Sequence, residues 1–424
     1  MQGTMPAPMT RRDTSIRPVP RPPQPAAPIT GDHRLVKAIN RTALLRLLRS
    51  EQGLSRADLA DRSGLTRSTV SLITKELIAE GWIAEDDVLA TGALGRRPTP
   101  LRLDGARLSL IGAELTPDTL RAVSTDIHGN VQLASHAPLR RGDPESACHQ
   151  LAEMVIDLVQ RTVAQDHELL GVGVGLPGAV EHSTGMLLYA PNLGWRQVPV
   201  AARLRQDLQA AGLGHVPVYC QNEADLAAIG ETEFGPHPAD DPLVYISCGM
   251  GLGSGIVLAD TLFTGATGAG GEIGHTTLHV GGRACSCGRL GCAEAYVGLR
   301  AVAEAAGRAD VSELKQLISA RDPAVRQAFE EAGRSLGVLL QNVWTTFDPR
   351  AIVLGGEGVA LGGQPFVDAA LAVLEAYAAQ AGVPAPAVRL SRFAELAAAV
   401  GGAAYAMYSL MRPYQTLQAQ AQAG

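Results

Sequence analysis

The sequence predicts an α/β protein with two similar lobes, preceded by a small, all-α winged helix-turn-helix domain. Near the N-terminus, two helical segments are followed by a glycine turn and a third, amphipathic helical segment. Beyond residue 108, apolar runs of strand length alternate with helical stretches. Two of these stretches repeat one unit, a strand, a polar glycine turn and a second strand, which indicates a duplicated body with a cleft between its lobes.

Composition and charge fit this division into domains. The 424 residues are 46% hydrophobic and 18% charged, so two or three folded domains are expected. Residues 1–104 hold 16 Lys+Arg and 11 Asp+Glu, a balance of +5, which leaves −11 for the remainder. A basic head on an acidic body favours nucleic-acid binding by the head. The sequence lacks a long apolar run or a secretion signal, which predicts a cytoplasmic protein without a membrane partner.

The domain limits follow from changes in composition. Residues 1–32 contain eight prolines and four arginines, which predicts a disordered tail that is either inert or adds non-specific DNA affinity. We expect the winged helix-turn-helix domain over residues 33–104 and the ligand-binding body over residues 105–412. Residues 413–424 are expected to be a C-terminal tail.

The helix-turn-helix is predicted from capping and periodicity. A first helix runs from about Arg34 to Glu51, with apolar residues at 35, 39, 44, 47 and 48 on one face. Ser55 and Asp58 form a near capping box for a short helix that ends at Gly64, and Thr66 caps the third helix. The outward residues of that helix suit major-groove contacts, and they are Arg67, Ser68, Thr69, Ser71 and Lys75. The alternative is a purely structural three-helix bundle.

A wing is predicted after Asp86. Two short extended stretches flank a tip rich in glycine and arginine, where Arg96 and Arg97 can reach the minor groove or a phosphate. The alternative is a solvated linker hairpin without a role in DNA binding.

A metal site is predicted in the second half of the body. His275, Cys285, Cys287 and Cys292 follow the pattern H-x9-C-x-C-x4-C among bend-forming glycines. One imidazole and three thiolates make a closed tetrahedral set, which is typical of structural Zn²⁺. The alternative is a reduced loop without metal. The three other cysteines lie in apolar surroundings and are expected to be small core residues.

These motifs resemble those of the ROK family (repressor, open reading frame, kinase). GEIGH followed by C-x-CG-x-x-GC-x-E carries the likeness, and GVGVGLPGAV, YAPNLGW, QNEADLAAIGE, CGMGLGSGIV and VLGG agree in order over about residues 34–410. The resemblance implies an actin-like ATPase fold of two ribonuclease-H-like lobes. It also implies either a sugar kinase or, with the N-terminal head, a sugar-responsive repressor of the xylose-repressor type.

The same resemblance implies a sugar pocket. Its side chains offer amides, carboxylates and an imidazole, groups that suit sugar hydroxyls. They are Asn192, Asn222, Glu223, Glu272, His275 and Glu294. His275 would then serve both sites, with one ring nitrogen on zinc and the other towards a hydroxyl.

Departures from the kinase pattern predict a binder without catalytic residues. Where kinases resemble D-x-G-G-T, this chain has Glu114-Leu115-Thr116-Pro117, and proline lacks an N–H donor. Met250 replaces a threonine in the second phosphate loop, and Glu223 stands in place of the catalytic aspartate. Because phosphoryl transfer depends on positioned phosphate donors, damage to both loops argues against kinase activity.

The sequence therefore predicts a transcription regulator, most simply a repressor of sugar uptake or catabolism that a sugar releases from double-stranded operator DNA. Two heads reading two half-sites require a homodimer or homotetramer. Two alternatives stay open. One is an ATP-dependent sugar kinase with an accessory DNA-binding head, and the other is a regulator that senses a phosphosugar or a partner protein.

Overall fold

A computed structural model of the chain describes residues 33–51, 53–86, 99–140, 142–236, 240–266, 268–319 and 321–412. Both predicted tails, residues 1–32 and 413–424, lie outside these ranges. The predicted wing tip, with Arg96 and Arg97, lies outside them as well.

The head contains three helices and three short strands. The chain order is α1 (His33–Ser50), β1 (Leu54–Ser55), α2 (Arg56–Ser63), α3 (Arg67–Ala79), β2 (Ile83–Glu85) and β3 (Pro100–Leu103). The strands form one antiparallel sheet in the order β1-β3-β2. The head expected to be all-α thus carries a small sheet, because the two extended stretches on either side of the wing tip pair with each other.

Local capping sets the limits of the helices in the head. The Ser55 side chain accepts from the Asp58 N–H and the Asp58 side chain accepts from the Ser55 N–H, so the capping box is complete. Gly64 ends α2 in the left-handed region at φ 70°. The Thr66 side chain caps α3. All three predictions are confirmed.

The core of the head differs from the expected one in α1, where Leu45 is buried in addition, Leu47 is half-buried and Ile39 is exposed. Val70, Ile73 and Leu77 of α3 are buried, as predicted. In α1 the buried residues are Leu35, Leu44, Leu45 and Leu48, whereas Ile39 is 41% exposed. The stripe that faces the other helices is therefore narrower than the apolar stripe in the sequence.

The first lobe is a five-stranded sheet with a smaller sheet and helices around it. Its strands and helices are β4 (Leu108–Leu115), β5 (Thr119–Thr125), β6 (Val131–Pro138), α4 (Pro144–Val163), β7 (Glu168–Leu176), β8 (Ala179–Glu181), β9 (Met186–Ala190), β10 (Trp195–Val198), α5 (Val200–Ala210), β11 (Val218–Asn222) and α6 (Glu223–Glu233).

The second lobe has the same kind of sheet under a helical layer. Its strands and helices are β12 (Leu243–Cys248), β13 (Leu252–Leu258), β14 (Thr261–Leu262), α7 (Glu294–Val297), α8 (Leu299–Ala305), α9 (Val311–Ser319), α10 (Pro323–Phe347), β15 (Ala351–Gly355), α11 (Glu357–Ala381), β16 (Ala387–Leu390) and α12 (Ala397–Leu410).

The two large sheets share one topology. The first runs β11-β7-β4-β5-β6 and the second β14-β13-β12-β15-β16. In each, three successive strands form an antiparallel meander, and two further strands add in parallel beside the first strand of that meander. The predicted duplication of an α/β unit is therefore confirmed.

Helix α12 returns to the first lobe, where glycines allow its backbone to approach the sheet. A methyl group on Gly112 of β4 would overlap the carbonyl oxygen of Ala399 and lie 2.5 Å from the Ala403 nitrogen. On its other side, a methyl group on Gly401 would overlap the carbonyl oxygen of Leu226 in α6. Sheet, α12 and α6 are thus packed backbone to backbone.

Among the described residues, α11 is the one helix whose length and hydropathy would allow it to cross a membrane. By itself this is weak evidence, because a helix in the core of a soluble protein passes the same test. In this fold α11 packs along α10.

Gly112→Ala is expected to destabilise the first lobe. The added methyl group meets backbone atoms of α12 that cannot move aside as a side chain would, and overpacking of this kind costs roughly 1–3 kcal/mol. Urea unfolding measures the change. As a control, Gly142→Ala places its methyl group 3.5 Å from Ser146 Cβ, an ordinary contact, and should leave the free energy of unfolding nearly unchanged. Equal stability of both variants would contradict the packing described here.

Candidate functional site

The outward face of α3 is polar and basic. Arg67, Ser68, Ser71 and Lys75 are exposed, as predicted for a helix that enters the major groove. Thr69 differs from these four residues. It is half-buried, because it takes part in the N-cap of α3. The Thr66 hydroxyl accepts from the Thr69 N–H at 3.2 Å and lies 2.9 Å from the Thr69 hydroxyl. Thr69 therefore contributes mainly to the N-cap of α3.

One residue of this face was missed by the sequence reasoning. Leu72 is 58% exposed and lies next to Ser71 on the outward side of α3. Counting helical positions from Ser68 would have placed Leu72 on this face, since residues four apart are neighbours on a helix.

A large cleft opens between the two lobes. Its volume is about 1940 Å³, and residues of both sheets, α6, α8, α11 and the cysteine-rich loop line it. The cleft wall includes every side chain predicted to contact sugar, which are Asn192, Asn222, Glu223, Glu272, His275 and Glu294. Six residues spread over about a hundred positions of the sequence are therefore brought to one cavity.

Asn222 has a structural task within this wall. Its Oδ1 accepts from the Ala224 N–H at 2.8 Å and from the Asp225 N–H at 3.3 Å, and thereby caps α6. Its Nδ2 donates to the Gly178 carbonyl at 3.0 Å. Most of the hydrogen-bonding capacity of the amide is used inside the fold, so Asn222 mainly positions the first turn of α6.

Glu223 is an acid of the cleft wall with a strongly raised pKa. Among the described residues, its Oε2 is a buried atom without a hydrogen-bond partner. Burial, followed by the negative charge of Glu114, raises the pKa of Glu223 to about 8. The carboxyl group is therefore protonated at neutral pH and can both donate and accept a hydrogen bond.

Glu114 and Arg121 also line the cleft, although the sequence reasoning gave them no role in the pocket. Arg121 Nη1 lies 3.4 Å from Glu114 Oε2 across the antiparallel pair β4–β5. Burial raises the pKa of Glu114 in spite of this arginine. The signal that was available is register, because the two residues are directly opposite each other in a hairpin.

The four predicted metal ligands converge. Their ligand atoms all lie within 4.8 Å of one another. His275 Nδ1 is 3.6 Å from Cys285 Sγ, and the sulfurs of Cys287 and Cys292 are 3.7 Å apart. With metal–sulfur bonds of about 2.3 Å, the edge of a tetrahedron is about 3.8 Å. The group can therefore hold a metal ion. The other ring nitrogen of His275 lies outside this set of four ligand atoms.

Glu294 ties the cysteine-rich loop to the second glycine loop. One carboxylate oxygen accepts from the Ser286 hydroxyl at 2.6 Å and from the Cys285 sulfur at 3.5 Å. The other accepts from the Leu252 N–H at 3.1 Å. The position of this carboxylate in the cleft thus depends on the loop that carries the three cysteines.

The first loop expected to bind phosphate in a kinase is closed on itself. The Thr116 hydroxyl accepts from the Thr119 N–H at 2.9 Å and from the Asp118 N–H at 3.4 Å. The Thr116 N–H donates to the Thr119 carbonyl, and Pro117 has no N–H. All the backbone donors of this turn are used within it.

Two N–H groups of the second loop are also engaged. The Gly249 N–H donates to the Gly251 carbonyl, and the Leu252 N–H donates to Glu294. Met250 at the tip is 41% exposed and offers no hydrogen-bond donor on its side chain. The first loop thus lacks free backbone N–H donors for nucleotide phosphates, and the second carries methionine in place of a side-chain hydroxyl.

Comparisons with known proteins agree with this architecture. Residues 118–408 match the ROK family, and residues 39–84 match a winged helix-turn-helix DNA-binding domain. A xylose repressor of Caldicellulosiruptor bescii is 30% identical over 354 residues, 78% of this chain and 86% of that protein. A ROK family transcriptional regulator, a homologue of the Escherichia coli MLC protein, superposes with a TM-score of 0.75 at 23% identity, over 91% of this chain and 99% of its own.

A kinase of the family matches a smaller share of the chain. A ROK glucokinase from Streptomyces griseus, solved with glucose and AMPPNP, has a TM-score of 0.59 at 25% identity and covers 70% of this chain and 99% of its own. The head and the cleft-bearing body define a two-domain regulator. The chain belongs to the ROK family, as a transcriptional regulator and not as one of its sugar kinases.

Glu223→Gln is expected to flatten the pH dependence of stability. The pKa of Glu223 is about 8 in the folded protein, against about 4.3 in an unfolded chain. Between these values the unfolded state has lost its proton and the folded state has kept it, so the stability of the wild type falls as pH rises, by at most about 1.4 kcal/mol per pH unit.

Urea unfolding from pH 5 to pH 8 measures this slope. Glu223→Gln has no group to titrate at this position, so its stability should rise relative to wild type over that range. Glu375→Gln, at an exposed site on α11, should keep the wild-type slope. The same slope in Glu223→Gln as in the wild type would show that the Glu223 carboxyl group ionises normally.

Proposed function

We propose that the protein is a sugar-responsive repressor of sugar uptake or catabolism genes. The observation that carries this proposal is a cleft whose first phosphate loop is closed by its own hydrogen bonds, behind a head with a basic, exposed α3. Such a cleft binds a ligand without transferring phosphate to it. The named function of the relatives that share both head and body points the same way.

The effector site in this proposal is the inner part of the cleft. Asn192, Glu272, His275 and Glu294 offer hydrogen bonds to hydroxyl groups, and the buried Oε2 of Glu223 gains a partner when a sugar binds. Asn222 contributes chiefly through the cap of α6. The xylose and glucose in the names of the relatives make these two sugars the first candidates.

The DNA site in this proposal is the outward face of α3 together with the wing. Arg67, Ser68, Ser71 and Lys75 would read bases or hold phosphates, with Thr69 at the cap. Arg96 and Arg97, outside the described residues, remain proposed contacts to the minor groove or to phosphate. A homodimer or homotetramer in the cytoplasm would present two heads to a two-fold operator.

The metal in this proposal is a structural Zn²⁺ held by His275, Cys285, Cys287 and Cys292. Three thiolates and one imidazole suit zinc and leave no open position for a reacting ligand. The ion would fix the loop that carries Glu294 and would orient His275 towards the cleft.

Sugar is expected to weaken operator binding, and Arg67→Ala is expected to weaken it without sugar. Loss of one base or phosphate contact costs roughly 1–3 kcal/mol of operator affinity. Electrophoretic mobility shift at low salt, on the DNA upstream of the gene itself, measures both effects, with D-xylose, D-glucose and their phosphates as ligands.

The matched control is Arg326→Ala, an exposed arginine on α10 far from the head, which should bind operator as the wild type does. Calorimetry should give the same sugar affinity for both variants and for the wild type. Failure of the wild type to bind this DNA, or turnover of ATP with any of the sugars, would contradict the proposed function.

Cys287→Ser is expected to lose zinc and, with it, much of the sugar affinity. The loop without metal no longer holds His275 and Glu294 in place. Elemental analysis measures bound zinc, and calorimetry measures sugar binding. Cys148→Ala, in the buried face of α4, should keep both. Loss of zinc with full sugar affinity would show that the metal is not required for sugar binding.

A further inference from the structure

The contact between head and body is built around a group of ion pairs. Arg46 and Arg49 of α1 pair with Asp260 and Glu233 of the body, respectively. Arg412, just beyond α12, pairs with both of these carboxylates, with its Nη1 2.8 Å from Glu233 Oε1. These five residues are called the interdomain charge cluster below.

Glu233 is the centre of this cluster. Its side chain is fully buried, and those of Arg412 and Arg49 are 5% and 24% exposed. Burial alone would raise the pKa of Glu233, but the positive charges of Arg49 and Arg412 lower it below its ordinary value. A carboxylate buried in this way is stable only with its partners in place, so the cluster has one strongly preferred geometry.

The position of Glu233 links this cluster to the cleft. Helix α6 contains 11 residues, from Glu223 in the cleft wall to Glu233. At 1.5 Å per residue the helix is about 16 Å long. One short helix therefore has the effector site at its N-terminus and the head at its C-terminus.

Helix α6 is also held tightly along its length. A methyl group on Gly255 of β13 would lie 2.7 Å from the Asp225 Cα, and one on Gly401 of α12 would lie 2.8 Å from the Ala227 nitrogen. These contacts make α6 a rigid element, so a displacement at one of its ends is passed on to the other.

The Asp260 side of the cluster is fixed by the body as well. The Asp241 carboxylate accepts from the Ala259 N–H at 2.8 Å and from the Asp260 N–H at 2.6 Å, which holds the turn between β13 and β14. Arg46 of the head therefore contacts the second lobe, and Arg49 contacts the end of α6. The head is therefore attached to the body at two points, the end of α6 and the turn between β13 and β14.

We infer that Glu233 is a positioning residue that couples the effector cleft to the DNA-reading head. A ligand at the first turn of α6 shifts this helix, and the interdomain charge cluster passes the shift to α1 through Arg49. The inference rests on the proposed function, since it needs a ligand that changes operator affinity. It adds the route by which this change is transmitted.

Arg49→Gln tests the inference without leaving Glu233 unpaired, because Arg412 still neutralises this carboxylate. The ratio of operator dissociation constants with and without sugar measures the coupling. The sugar is whichever of D-xylose, D-glucose and N-acetyl-D-glucosamine binds the wild type in calorimetry. Typical couplings are about 5- to 150-fold, and Arg49→Gln should bring the ratio to within about twofold of one. Its sugar affinity and melting temperature should remain close to the wild-type values.

Two variants on the same helix complete the experiment. Arg41→Gln removes an ion pair with Glu80 inside the head and should keep the wild-type ratio. Arg49→Lys keeps the charge and should restore part of the coupling. A wild-type ratio of one overturns the proposed function and the inference together. A wild-type ratio that Arg49→Gln retains, or that Arg41→Gln abolishes equally, overturns the inference alone.

Discussion

The body depends on the direct contact of backbone with backbone around α12. Glycines at β4, α12 and the facing turn of α6 leave room for carbonyl oxygens where a methyl group would stand. At this separation the helices have few ways to slide, and the interior behaves as a packed solid. Both the cleft wall and the support of the head follow from it, because α6 contributes to each.

The chemistry of the cleft is set by acids removed from water. Glu223 and Glu114 lie close together in a buried region, and burial raises the pKa of each. A proton held there turns a repelling pair into groups that donate and accept hydrogen bonds. Such a surface favours uncharged polyhydroxylated ligands, and it favours them most where an atom such as Glu223 Oε2 lacks a partner.

Features that lie within one short segment of the chain could be predicted from the sequence. The Ser55–Asp58 capping box, Gly64 and the spacing of His275 to Cys292 are of this kind, and the structure places them as expected. The duplicated sheet could also be predicted, since each half repeats the same order of strands. The six cleft residues were predicted to form one pocket from the resemblance to a family, and not from spacing alone.

Features that depend on long-range packing could not be predicted. Arg49 and Glu233 are 184 positions apart, and neither carries a local signal. Whether Ile39 is buried depends on which side of α1 meets the other helices. The task of Asn222 as a helix cap became visible only when its partners Ala224 and Gly178 were located. In each of these examples, the role of the residue depends on contacts with residues in other elements of the fold.

The closed turn at residues 116–119 has a consequence for the quantity to which this protein responds. In the proposed function a bound sugar leaves the cleft chemically unchanged, because the hydroxyl and carbonyl groups of this turn already occupy its donors. A sugar kinase consumes the sugar that it binds, so its turnover reflects a flux. A cleft without turnover comes to equilibrium with the pool, so its occupancy follows concentration and reverses as soon as the sugar is gone.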